Sequence, residues 1–198
     1  MKRYIIVGVA ALLVFLAGVH LGVSYFSDVA KSSGNEVSTG DFDIGISKDG
    51  KRFYDDYKLF SFDNLAPGES RTFTFYVKNR GDYPVSSVGL LFNVTDLEDG
   101  SLSKAEALVD NTPEVGELSE YLTIADFRVE FNGTETVLND YIGKTLREVN
   151  MSELSIFNGL LKPDEQIKVS ITIELSPSAG NECLTDSADV ELIITASQ

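Results

Sequence analysis

Apolar and polar residues alternate with a period of two along most of this chain. The longest example sets Ile167, Val169, Ile171, Ile173 and Leu175 against Lys168, Ser170, Thr172 and Glu174, the pattern of a strand with one buried and one wet face. The same alternation runs through Phe42, Ile44 and Ile46, through Phe73, Phe75 and Val77, and through Val88, Leu90 and Phe92. It returns at Phe127, Val129 and Phe131 and at Val190, Leu192 and Ile194. Strands of this one-faced kind, repeated along a chain, predict an all-β protein built as an antiparallel β-sandwich.

Turn residues fall between these runs. Pro67-Gly68 precedes the second, Asn79-Arg80-Gly81-Asp82 follows it, Asn132-Gly133 follows the fifth, and Pro163-Asp164 precedes the strand at 167, each supplying the fixed or positive φ that a reversal needs. Two stretches rhyme: LAPGESRTFTFYV from Leu65 and LKPDEQIKVSITI from Leu161 share Leu-x-Pro-x-Glu followed by an alternating strand. They read as equivalent leads into two facing strands, since nothing recurs at the short fixed period of a solenoid.

The period changes in two places. Between Ser101 and Leu122 apolar residues take helical spacing around Thr112-Pro113, and Lys144 to Leu154 places Leu146, Val149 and Leu154 on one side of a helical turn. Both predict short helical insertions at an end or flank of the sandwich.

At the N-terminus the alternation is replaced by a continuous apolar run. Lys2 and Arg3 precede Tyr4 to Val23, in which His20 is the one strongly polar residue. Such a segment is either a signal peptide or a membrane anchor, because about 20 apolar residues also suffice to span a bilayer. Gly22 and Ser24 suit the small-residue pockets of a signal peptidase, so cleavage is expected between Ser24 and Tyr25. Residues 1–24 are thus a signal or anchor, and the remainder is exported, secreted or held at the cell surface.

Removing Lys2 and Arg3 leaves 14 basic residues against 31 acidic ones, a net charge of −17. A surface of that sign repels nucleic acid and anionic lipid, so neither is an expected partner. Contact with a membrane is expected only through the N-terminal segment before cleavage. Cys183 is the single cysteine, which excludes an intrachain disulfide, and no cysteine near the end of the leader suggests a lipoprotein.

Candidate chemistry is sparse. The one histidine, His20, lies in the leader, so the exported part has no histidine-based nucleophile relay and no His-Glu-x-x-His zinc site. No glycine-rich phosphate loop and no EF-hand spacing occur. Neighbouring acids such as Asp55-Asp56 and Glu98-Asp99 are what 31 acidic residues produce by composition. No catalytic, metal or cofactor-binding residue is therefore expected, and no enzymatic activity. Three Asn-x-Ser/Thr sequons, at Asn93, Asn132 and Asn150, are candidates for glycans.

The order of several motifs resembles the TasA and camelysin family of exported fibre-forming proteins. The leader's end with YFSDVAKSSGNEVSTGDFDI is similar to the start of those proteins. FDNLAPGESRTFTFYVKNRGDYPVSSVGLLFNV resembles their Pro-Gly-Glu turn, strand and Lys-Asn-x-Gly continuation, and GELSEYL and AGNECLTDSADVELIITASQ resemble later elements. The resemblance implies a jelly-roll sandwich over residues 34–198, and a structural role in biofilm-matrix fibres or bundling pili. It further implies that residues 25–33 act as a donor strand inserted into the next subunit of a homopolymer, with Tyr25, Phe26, Val29 and Ala30 as the candidate anchors. Two alternatives stand beside it: a membrane-anchored cell-surface binding module, and a camelysin-like metallopeptidase, for which the usual histidine ligands are missing.

Overall fold

The computed structural model describes residues 27–31, 43–55, 65–98, 108–109, 116–183 and 186–198. Residues 1–24, read above as a signal or anchor, together with Tyr25, Phe26, Phe42 and most of the insertion after Ser101, lie outside the described residues. The strands are β1 (Ser27–Lys31), β2 (Ile44–Ser47), β3 (Ser70–Asn79), β4 (Val85–Glu98), β5 (Leu122–Phe131), β6 (Thr134–Val137), β7 (Leu154–Leu161), β8 (Gln166–Leu175) and β9 (Asp186–Ser197). Among the described residues, two one-turn helices, α1 (Leu118–Tyr121) and α2 (Leu146–Val149), interrupt them.

The strands form two antiparallel sheets, in the orders β1-β9-β4-β7 and β2-β3-β8-β5-β6. With β2 set aside as an added edge, the eight others run first-eighth-third-sixth in one sheet and second-seventh-fourth-fifth in the other. That is the double Greek key of a jelly roll. The all-β antiparallel sandwich read from the alternation is the fold observed. Its core lies between the sheets and is filled by the alternating residues: Phe75 and Val77 of β3, Leu90 and Phe92 of β4, Phe127 of β5, Ile167, Val169 and Ile171 of β8, and Leu192 and Ile194 of β9 are all buried.

The rhyming Leu-x-Pro-x-Glu segments are two copies of one turn. Glu69 N–H donates to Ala66 O (2.9 Å) and Glu165 N–H to Lys162 O (3.0 Å), with positive φ at Gly68 and Asp164. Each is a type II turn with proline in its preferred place. Each glutamate then turns back, Glu69 Oε2 accepting from Ala66 N–H (3.1 Å) and Glu165 Oε2 from Lys162 N–H (2.8 Å). The first turn docks on the end of β8, Gly68 N–H donating to Leu175 O. The second docks on the end of β3, Asp164 N–H donating to Asn79 O. Because Thr74 stands opposite Ser170, a local two-fold axis relates the two halves. The strands behind the turns are therefore hydrogen-bonded neighbours in one sheet, not partners facing each other across the sandwich.

The Asn132-Gly133 pair closes the β5–β6 hairpin, with φ of 51 and 77 degrees and Phe131 paired to Thr134, the two-residue reversal such a dipeptide favours. The helical turn read at Lys144–Leu154 is α2. Thr145 Oγ1 accepts from Glu148 N–H while the Glu148 carboxylate accepts from Thr145 N–H, a reciprocal cap, and Leu146 and Val149 are buried.

Candidate assembly edge

Strand β9 is hydrogen-bonded along its length to β4 on one side and, near its end, to β1 on the other. Leu192, Ile194 and Ala196 are its buried positions. The register of β1 sets Asp28 against Ala196, Ala30 against Ile194 and Val29 against Thr195. Asp28 and Ala30 are thus paired with the core positions of β9. Val29 and Ala30, two of the four candidate anchors, belong to β1, while Tyr25, Phe26 and the cleavage pair Ser24-Tyr25 lie outside the described residues. β1 is an edge strand, and the same chain supplies it.

Taking β1 away would leave the backbone of β9 from Ile193 to Ser197 without a partner on that side. Such an open edge favours capture of another strand. The alternation in sequence marked β9 as a strand but said nothing of its second neighbour, since that depends on which distant segment lies beside it.

The opposite edge of the sandwich, between β6 and β7, opens as a cleft of about 460 Å³. Val129, Phe131, Ile156 and Phe157 line its apolar side, and Phe131 and Phe157 meet edge to face with ring centroids 5.0 Å apart. Neither β6 nor β7 was apparent in the alternation.

The three sequon asparagines differ in setting. Asn132 is exposed at the tip of the β5–β6 hairpin. Asn93, on β4, donates to Glu191 Oε2 at 2.8 Å. Asn150 bridges to the backbone of Val94, receiving its N–H at 2.9 Å and donating Nδ2–H to its carbonyl at 3.1 Å. A glycan on Nδ2 of Asn150 would have to displace that second bond.

Among the described residues no group of three or more His, Cys, Asp or Glu side chains has the arrangement of a metal site. No helix among them is long and apolar enough to cross a membrane. Cys183 is half-buried in a short 3-10 turn and forms no disulfide.

No family model matches the chain, and no curated protein matches it. Among solved structures, it is similar to a candidate secreted protein from Eubacterium rectale, with 12% identity and a TM-score of 0.36. The match covers 87% of this chain and 39% of that one, so the chain spans about two fifths of that neighbour's length.

Proposed function

We propose that this chain is an exported structural subunit that polymerises into an extracellular filament, of the biofilm-matrix or bundling-pilus kind, by strand exchange. Residues 25–33 of one copy pair with β9 of the next. The observation that supports this is β1 itself. It is a five-residue strand at the extreme edge of its sheet, in the first position of the jelly roll, and its register on β9 is antiparallel throughout. A strand that completes a sheet from its edge can be replaced by the same strand of another copy with every main-chain bond retained. Donor and acceptor then lie on different surfaces of one molecule, so the contact is heterologous and propagates as an open fibre. Histidine-free and strongly acidic, the exported part serves as a polymer unit, with no catalytic role.

The test locks β1 onto its own β9. Val29→Cys with Thr195→Cys, in a Cys183→Ala background, joins positions that face each other in the register. The oxidised protein is expected to stay monomeric by negative-stain electron microscopy and to form fibres once reduced. Fibres from the oxidised protein, or from a chain lacking residues 25–33, would exclude exchange of this strand.

A second reading, a surface-anchored binding module, is favoured by the cleft between β6 and β7. It predicts that residues 1–24 remain on the purified protein, read by intact mass, and that the extracellular fraction contains no filaments.

A further inference from the structure

On the edge of the sandwich away from β1, the β5–β6 hairpin and β7 stand apart and leave the cleft of about 460 Å³, a size in the range of small-molecule sites, about 300–1,000 Å³. Its lining is unusual for this chain. Acidic residues number 31 and basic ones 16, yet among the described residues no charged side chain lines the cleft. The hairpin sorts its charges outward: Arg128 Nη1 donates to Glu135 Oε1 at 2.8 Å on the outer face, while Thr134 and Thr136, on either side of Glu135, face the cleft. Thr134 is paired with Phe131 and Thr136 with Val129. Both threonines therefore lie on the side of the sheet that elsewhere carries core residues.

The lining combines an apolar floor with neutral hydrogen-bonding groups. Phe131 and Phe157, both half-buried, meet edge to face. An aromatic face carries the negative side of the ring's quadrupole and attracts the weakly positive C–H groups of a sugar ring. The hydroxyls of Thr134, Thr136 and Ser155 stand around the pair, each able to donate and to accept. Asn158 gives one amide hydrogen to Ser155 Oγ at 2.8 Å, which leaves the Asn158 carbonyl oxygen and the Ser155 hydroxyl hydrogen for a ligand. This set matches a molecule that is uncharged, dense in hydroxyls and apolar on one face, as a neutral pyranose is. A phosphorylated, sulfated or uronic-acid chain would meet no cation here and would bring its charge to a strongly acidic protein. A wholly apolar ligand would leave the threonine and asparagine groups unpaired.

We propose that the β6–β7 cleft binds a neutral saccharide, with a sugar ring on the Phe131–Phe157 pair and its hydroxyls held by Thr134, Thr136 and Asn158. The inference names a ligand class for the binding-module reading and rests on that reading's cleft, but not on anchorage. The cleft and the β1–β9 pairing lie on opposite edges of the sandwich, so a filament subunit presents the same cleft.

The experiment titrates the purified protein with uncharged hexasaccharides of glucose, of mannose and of galactose, and with a galacturonate hexasaccharide, following amide chemical shifts by NMR. At least one neutral hexasaccharide is expected to shift the amides of Thr134, Thr136, Ser155 and Phe157, and the galacturonate chain to shift none of them. Phe157→Ala should weaken that binding by about tenfold. Because Phe157 also packs on the core, the double variant Thr134→Val with Thr136→Val, altered only at exposed positions, is measured beside it and should weaken binding by about fivefold. No shift with any neutral hexasaccharide would overturn the proposal. So would unchanged affinity in the double threonine variant, equal binding of the galacturonate chain, or the same shifts from a peptide of residues 25–33 in place of the sugars, which would make the cleft a strand acceptor. The disulfide lock reads filament growth and intact mass reads anchorage, so failure of saccharide binding is distinguishable from failure of either functional reading.

Discussion

In the β3–β8 pair each strand is reached through a turn whose glutamate, Glu69 or Glu165, receives a backbone N–H three residues earlier. The β4–β9 pair, at the centre of the other sheet, ends instead on Glu98 and Asp186 set against each other. The residue chemistry is the same in both places and its effect is opposite. A carboxylate facing an unpaired amide completes a hydrogen bond, whereas burial and neighbouring negative charge push Asp186 up to about 7 from 3.8. An acid's contribution here follows from what the backbone presents to it. Asp49 makes the same point: the N–H groups of Lys51 and Arg52, then the Ser47 hydroxyl, draw it down to about 2 from 3.8. Its favourable contribution is present above its unfolded value and is lost only as pH falls toward about 2, well below the range up to about 7 over which Asp186 acts.

The largest expected effect asks whether the two pairs share one core. Phe75 of β3 and Phe92 of β4 are both buried, and truncating either to alanine should cost about 3–5 kcal/mol in urea unfolding. A small loss at one and a large loss at the other would mean that the sheets are not equally packed, and the comparison would reduce to a difference in packing.

A smaller effect separates how the two central strands are braced at their flanks. The end of β3 is met by the Pro163-Asp164 turn through backbone bonds, while β4 is met at Val94 by the side chain of Asn150. Asn150→Ala leaves the Val94 N–H and carbonyl without that partner and should destabilise by about 1–3 kcal/mol. The same variant removes one sequon, so protein lacking glycans is the material to measure.

The smallest effect is the most pointed, because it concerns sign. Glu165→Ala should destabilise by about 0.5–1.5 kcal/mol through loss of its bond to Lys162 N–H, while Asp186→Asn should stabilise the protein at pH 8. Equal and same-signed changes in chemical denaturation would erase the distinction between satisfied and crowded acids.

Much of the fold was legible because a strand with one buried face is a local pattern. The six alternating runs correspond to β2, β3, β4, β5, β8 and β9. β6 escaped because Thr134–Val137 is exposed at all four positions, so no face of it needed to be apolar. β7 escaped because Ser155-Ile156-Phe157-Asn158-Gly159-Leu160 breaks step, and its pairing to β4 shifts register twice, which resets the inward face partway along. The Leu-x-Pro-x-Glu rhyme announced two equal turns but not that their strands would lie side by side.

The sites divide the same way. The tendency of residues 27–31 to extend belongs to the local sequence, but that they lie against β9, and that Ala30 meets Ile194 there, is a pairing between segments more than 160 residues apart. The cluster of acids is more remote still from local pattern: Glu98, Glu117 and Asp186 are ordinary acids in an acidic chain until β4, α1 and β9 converge. By itself the sequence determined the alternation, the turns and the net charge, because each depends on neighbours along the chain. The tertiary structure alone decided which edge β1 completes and which carboxylate, Asp186, is pushed up toward neutrality, because hydrogen bonding and desolvation are set by neighbours in space.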